Sequence, residues 1–391
     1  MPPPLSRLGE LPIERFLSQY WQRKPLLARR ALPDFRAPLS ADELAGLALE
    51  QDVESRIVLE RGGHSPWELL HGPFSETTFQ ELPTSHWTLL VQAVDQWVPE
   101  VHALLDYFRF IPNWRLDDIM ISYAADQGSV GPHFDHYDVF LLQANGTRRW
   151  QIGQRCDSQS LRLPGTDLDI LASFEAVDEW LLEPGDLLYI PPQIAHWGIA
   201  EGDDCMTYSI GFRAPSHADI LGEFSQELAA SLAEQRRFQD PGGKFPNNPG
   251  ELDDRSIEQV QRILRQYLDQ PQQIANWFGR YMTQPKYPLP EPPLQSPLTP
   301  QTCAELLVQA QIQIQWHLGS RFAYRRTPEG AELFVDGEGL ACPLALAKTL
   351  CGKSRFCGGE FAPFLHNPEA LAVLTQLLNS SCLETKSLFK N

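Results

Sequence analysis

No stretch of the 391 residues approaches the run of about 20 apolar side chains that crosses a bilayer. The start, MPPPLSRLGELPIERFL, has neither a basic flank nor a long apolar run, so no secretory leader is expected. Cysteine is sparse as well: there are seven, an odd number, and none stands in a CxxC pair. That usage argues against a disulfide scaffold and for reduced thiols. Cations are short relative to anions, with 32 Lys and Arg against 50 Asp and Glu and a formal net charge of -18. Such a balance disfavours broad, nonspecific nucleic-acid binding and suits a basic partner. Together these absences lead us to expect a soluble, cytoplasmic protein with no membrane segment.

What is present is ample for a core, at 42% hydrophobic and 10% aromatic residues. The length favours two or three domains. Ile13, Phe16, Leu17 and Tyr20 share one helical face, and Lys24-Pro25 ends the pattern because the residue before proline resists the helical region. ADELAGLALE (41–50) and the stretch from Trp97 to Phe108 also read as helical. From residue 118 the period shortens to that of strands: IMISYA, the HFDHYDVFLLQ run, RRWQI, DLLYI, AHWGI and CMTYSIGF. Many short strands with irregular turns predict a mainly β double-sheet barrel or sandwich. Asn145-Gly146 reads as a tight turn between two strands, and Gly185-Asp186 as another before LLYI.

Residues 216–284 read as three helices, the first capped by Ser216, with Ile220, Phe224, Leu228 and Leu232 at every fourth position. So thin a unit must bury its apolar faces elsewhere, as a dimerisation module or as a collar on the barrel. Seven prolines mark residues 285–300 as a linker. The remaining 301–391 combine helices with a β ribbon, FAYRRTPEGAELFVDGEGLACP, and predict a winged-helix-like α+β domain. Its charges balance, so the footprint of nucleic-acid binding is missing and a protein-contact or packing role competes with it.

The chemistry concentrates in GPHFDHYDVFLLQANGTRRWQIG, residues 131–153, and GDLLYIPPQIAHWG, residues 185–198. On an extended strand His133 and Asp135 point to one side. An ionised aspartate is costly to bury alone, and a divalent metal offsets that cost. With His196, delivered after Pro191-Pro192, the set becomes two imidazoles and one carboxylate, the face of non-haem iron oxygenases. HxD alone also arises by chance in surface loops, and a lone histidine is often a satisfied core residue. His136 is also a possible ligand, but it points away from Asp135 on a regular strand and is expected behind the ligands or at the surface. In RRWQI, alternation sets Arg148 with Trp150 and Ile152 on the apolar side and Arg149 towards solvent. An inward arginine near a metal calls for an anion, and its planar fork suits a carboxylate. The competing reading is an arginine paired with a structural aspartate.

GPHFDHYDVFLLQ, GTRRW and GDLLYIPPQIAHWG, with FLSQYWQRKPLL, DDIMISYA and TYSIGFRAP, resemble the JmjC-type, 2-oxoglutarate- and Fe(II)-dependent oxygenases. More narrowly the chain is similar to the bacterial ribosomal oxygenases of the cupin-like family, over nearly its whole length and most closely at 115–213. The resemblance implies a double-stranded β-helix (jelly roll) with N-terminal helices in a JmjC-type domain at 1–215, then the helical homodimerisation module and the winged-helix-like end. It implies His133, Asp135 and His196 as the Fe(II) ligands and catalytic centre, and Arg148 as the partner of the 2-oxoglutarate 5-carboxylate. Ser122 would be a secondary contact to that co-substrate, or simply a small residue that permits close packing. O2 would be the second co-substrate. The implied reaction is hydroxylation of C3 of an arginine in a basic substrate, the sixteenth protein of the large ribosomal subunit. Asp117, Asp118 and Asp126 are candidates to meet that arginine, and Tyr137 to line the cleft. The alternatives for these are loop or surface aspartates and a core aromatic. Histidine hydroxylation, N-methyl-lysine demethylation, small-acid chemistry on a cupin fold and an inactive ribosome-interaction protein remain as rival functions.

Overall fold

The computed structural model describes residues 3–61, 67–287, 297–309 and 311–386. The chain opens with β1 (Arg7–Leu8) and β2 (Leu11–Pro12), followed by α1 (Ile13–Gln19), β3 (Leu26–Ala28), α2 (Ala41–Leu47), β4 (Ser55–Glu60) and β5 (Trp67–His71). α3 (Glu76–Gln80), β6 (Trp87–Val91) and α4 (Pro99–His102) lead to the central strands. These are β7 (Leu116–Ala124), β8 (Val139–Arg155), β9 (Asp178–Leu182), β10 (Leu187–Ile190) and β11 (Ile194–Phe212).

Alternation buries one face of these strands, and the hydrogen-bonded order is β3-β10-β8-β11-β7-β6-β4-β5, with β9 on β8. β8 and β11 form the spine, paired antiparallel from Ile194↔Arg155 to Gly211↔Val139 with register shifts between. Those shifts let two long strands bend, as bulges do. Asn145-Gly146 is therefore not a hairpin turn. It lies inside the continuous β8, where Gly146 takes φ +59 opposite the irregular stretch of β11. Gly185, at φ +89, does sit in a turn before β10.

The expectation of a mainly β jelly roll is corrected in two respects. Outside the central strands the chain folds largely as helices, so helix and strand contribute about equally to a mixed α/β architecture. The sheet path is also open, since no pairing joins β3 to β5 among the described residues. One core fills the space between the N-terminal helices and the sheet, with Phe16, Phe108, Phe140, Tyr189 and Phe212 in mutual ring contact.

α5 (His217–Ser231), α6 (Asp254–Leu268) and α7 (Pro271–Thr283) follow. Ser216 caps α5, its hydroxyl accepting from the Asp219 N–H at 3.0 Å. Of the every-fourth apolar row on α5, Phe224 is the buried member, edge-on to Trp277 of α7. α6 buries none of its residues. Of the expected linker at 285–300, residues 288–296 lie outside the described residues.

The C-terminal part comprises α8 (Pro300–Leu307), β12 (Gln313–Trp316), β13 (Phe322–Thr327), β14 (Gly330–Val335), β15 (Glu338–Cys342), α9 (Leu344–Gly352), β16 (Arg355–Cys357), α10 (Pro368–Asn379) and β17 (Leu383–Lys386). It has its own core around Leu333, Leu346, Phe361 and Leu374. It docks on β7 and α4 by polar contacts: Arg321 donates to the carbonyls of Leu116 and Asp117, both at 3.0 Å, and Arg355 to that of Pro99 at 3.0 Å. No helix among the described residues is long and apolar enough to cross a membrane.

Candidate functional site

The inner faces of β4, β6, β7, β8 and β11 enclose a cavity of about 440 Å3. Alternation supplies its walls: Met120 and Ser122 from β7, Val139, Leu141, Arg148 and Trp150 from β8, His196, Thr207 and Ser209 from β11. His133, Asp135 and His196 meet there, their ligand atoms within 4.8 Å of one another. The segment carrying the first two is not the regular strand that the sequence predicts. His133 makes an isolated bridge to His196, with reciprocal N–H···O=C bonds of 3.1 and 2.8 Å, and the chain then leaves the sheet. The Gln193 N–H donates to the Asp135 carbonyl at 2.7 Å and holds the departing loop.

Both imidazoles are oriented by the backbone. His133 Nδ1 lies 2.9 Å from the Gly131 carbonyl and His196 Nδ1 3.0 Å from that of Ile194, which assigns Nδ1 the proton in each ring. Both Nε2 lone pairs are thereby left to act as ligands. Burial, reinforced by His133, pushes His196 down to about 4, so its ring is neutral near pH 7 as a ligand requires. Asp135 Oδ2 lies 3.6 Å from His196 Nε2. Two imidazole nitrogens, each ring anchored from behind, and one carboxylate oxygen fit a divalent iron centre with open positions. His136 is exposed, stands edge-on to Phe134 at 5.3 Å and is not part of the cluster.

Arg148 is only 3% exposed, yet every hydrogen-bond partner it has is neutral. Nη1 donates to Ser122 Oγ at 3.3 Å and Thr207 Oγ1 at 3.4 Å, and Nη2 to the Gly198 carbonyl at 3.4 Å. Nε is buried without a partner among the described residues. Trp150 lies under the guanidinium at 5.2 Å. Burial lowers the pKa of this arginine, and no carboxylate among the described residues pairs with it. A buried cation in this condition is costly until an anion arrives. Arg149 points outward to Glu201 and Glu179. The bare backbone of Gly198 is needed beside the pair, because a Cβ there would lie 2.7 Å from the Trp150 ring and 2.8 Å from Arg148 Nε.

The cavity mouth carries Asp117, Asp118, Asp167, Asp169, Arg56, Tyr137 and Lys286. Asp118 is buried at 4% exposure, and Tyr137 is open at 43%. Asp126 stands apart from the cavity, its Oδ1 accepting from the Gly202 N–H at 2.8 Å and Gln127 Nε2 at 3.3 Å. It closes a surface turn, the alternative weighed for it above. Thr207, Gly198 and Lys286 were not singled out from the sequence. The first two flank signals already in hand, whereas Lys286 reaches the mouth from the far end of α7.

The JmjC domain family matches residues 103–220 and the ROXA-like winged helix matches residues 265–384. The chain is 34% identical to the ribosomal protein uL16 3-hydroxylase of Escherichia coli (strain K12), covering 93% of this chain and 95% of that one. It is 39% identical to a probable ribosomal oxygenase of Haemophilus influenzae, over 64% of this chain and 63% of the other. Structures of the Escherichia coli ribosomal oxygenase YcfD in complex with cobalt and succinic acid, and with cobalt and 2-oxoglutarate, superpose with TM-score 0.85 at 32% identity, covering 97% of this chain and 99% of that one. With a two-histidine, one-aspartate cluster at the heart of its cavity, the chain belongs to the bacterial JmjC-domain ribosomal oxygenases, Fe(II)- and 2-oxoglutarate-dependent dioxygenases.

Proposed function

We propose that this chain hydroxylates C3 of an arginine in ribosomal protein uL16, with His133, Asp135 and His196 holding Fe(II), and Arg148 the far carboxylate of 2-oxoglutarate. The observation that carries the reading is the pairing of a buried, anion-lacking Arg148 with the His133–Asp135–His196 cluster in one cavity. Bound iron with 2-oxoglutarate and O2 supplies the oxidation, the co-substrate leaving as succinate and carbon dioxide. The protein does the rest by position. Ser122 and Thr207 hold the guanidinium fork in place. The apolar Val139, Leu141 and Trp150 exclude water from the reacting end.

At the mouth, Asp118 supports the choice of a cationic side chain, since a buried carboxylate is a strong acceptor for a guanidinium. Tyr137 offers an exposed ring against which its stem can lie. Asp117 is already bracketed by Arg321 at 2.9 Å and Arg213 at 3.8 Å, so we assign it to the support of the wall. α6 presents Ile257, Val260, Leu264 and Leu268 on one open face, which supports homodimerisation through residues 216–284. The docking arginines Arg321 and Arg355 favour a packing role for the C-terminal domain. A ribosomal substrate agrees with a cytoplasmic enzyme.

The test is incubation with purified uL16, Fe(II), 2-oxoglutarate and O2. A one-oxygen mass gain on an arginine with matched succinate is expected. Hydroxylation of histidine, or loss of methyl from lysine, would overturn the reading.

A further inference from the structure

The two neighbouring aspartates at the mouth are held in different ways. Asp117 takes Arg321 Nη2 on Oδ1, and that same arginine is fixed by the Leu116 and Asp117 carbonyls. Arg213, its second cation, is tied to the Met282 carbonyl at 2.7 Å. Asp118 has neither arginine. Its Oδ2 accepts from Gln92 Nε2 at 2.9 Å and from Lys286 Nζ at 2.6 Å. Its Oδ1 has no hydrogen bond among the described residues and faces Gly211 of the cavity wall.

Lys286 is the one cation in contact with Asp118 among the described residues. It lies beyond the end of α7, outside any helix or strand, and its backbone makes no hydrogen bond among the described residues. The next residue is anchored: the Tyr287 hydroxyl donates to Glu54 Oε2 at 2.6 Å. A 30%-exposed side chain thus stands on a backbone tethered one residue further on. It also has somewhere to go, with Asp117 Oδ2 at 3.6 Å and the Tyr287 ring at 5.9 Å.

We propose that Lys286 is the resident cation of the Asp118 site, seated there in the free protein and displaced by the incoming cationic side chain of the substrate. The inference rests on the reading of Asp118 as the acceptor for that side chain. Burial, and then Asp117, push the Asp118 carboxyl up, and Lys286 and Gln92 oppose that shift. An ammonium brings a point charge to one oxygen, whereas a guanidinium brings a planar fork to both. Exchange therefore favours arginine. A neutral side chain of similar shape has no charge with which to replace Lys286 and leaves it in place. Lys286 sets selectivity as well as affinity. If it occupies Asp118 about nine-tenths of the time, the apparent dissociation constant of the substrate rises about tenfold.

The experiment uses the full chain, loaded with iron and 2-oxoglutarate, and purified Escherichia coli uL16 as the probe. Binding is read under nitrogen, where no turnover occurs, and KM and kcat are read in air, both at mildly alkaline pH. K286M should lower the dissociation constant and KM of uL16 about tenfold with kcat nearly unchanged, and K286R, whose fork holds Asp118 more firmly, should raise both. A merely structural role would move the two variants in the same direction. That result, or a K286M protein that binds uL16 no better than the parent, overturns the proposal. K286Q repeats the test should K286M not fold. D118N separates the two layers: if it binds uL16 as the parent does, the reading of Asp118 itself is wrong. If D118N weakens binding while K286M does not tighten it, displacement alone fails.

Discussion

The two ends of the cavity solve opposite electrostatic problems. At the inner end the protein supplies no anion for Arg148 and sets two imidazoles with their lone pairs aimed at the cavity. At the mouth the half-buried Asp117 and the buried Asp118 already have partners, Arg321 and Lys286. The inner end is fixed by backbone carbonyls, by the His133–His196 bridge and by neighbours along β7, β8 and β11. The mouth is held by side-chain ion pairs from Arg213, Lys286 and Arg321, and of these the Lys286 pair is the one proposed to exchange. Groups common to every turnover are thus set rigidly, and groups that read a protein substrate are set on a movable counter-charge.

The largest effect is expected where the inner end is broken outright. D135A or H196A should lose bound iron and reduce turnover by more than about 100-fold, beyond the 10–100-fold cost of losing an outer partner of a ligand. Metal content and succinate release check this, and a D135A protein with full iron and full turnover would remove the cluster from the mechanism. Next is the charge that waits for an anion. R148A should raise KM for 2-oxoglutarate on the order of 100-fold, the consequence of losing a buried pair worth about 3 kcal/mol. KM for uL16 should change little in that variant. If R148A and D118N raised the same KM, the division of labour between inner end and mouth would be wrong.

How far the sequence could reveal this division depends on the range of the interactions. Arg148 was legible because β8 alternates regularly from Arg148 to Ile152, and a period of two suffices to separate a 3%-exposed Arg148 from an exposed Arg149. His133 and Asp135 reach one point for a different reason than alternation, since their segment is a loop pinned by the His133–His196 bridge and by Gln193. Asn145-Gly146 misled because a bulged, continuous strand uses the same positive-φ glycine as a hairpin. Asp117 and Asp118 were indistinguishable in the sequence. What separates them arrives from Arg213, Lys286 and Arg321, some 96 to 204 residues away, and no local pattern carries that information.

The smallest effect concerns a third carboxylate behind the mouth. Asp95 is 3% exposed and its Oδ1 accepts from the Ile119 N–H at 2.7 Å. Burial, then the charge of Asp118, pushes its pKa up from 3.8 to about 8. The folded protein therefore keeps a proton that the unfolded chain releases, so stability falls as pH rises through that window. His102 acts in the opposite sense at lower pH. Burial, then Arg109, pushes it down from 6.5 to about 3, so stability falls as pH drops below 6.5. From about pH 7.5 to 8, a unit above the 6.5 of a free imidazole, His102 is neutral in both states and adds little to the slope that Asp95 contributes. D95N keeps an oxygen for the Ile119 N–H but removes the titration. It should flatten the loss of stability over that interval and leave the protein more stable at pH 8 by on the order of 1 kcal/mol, read as a thermal midpoint that no longer declines. Its KM for 2-oxoglutarate should be that of the parent, because the inner end does not depend on the ionisation of the mouth. A shift in that KM would mean that the two ends are coupled through β7, and the mouth could then no longer be treated as the independent, exchangeable half of the site.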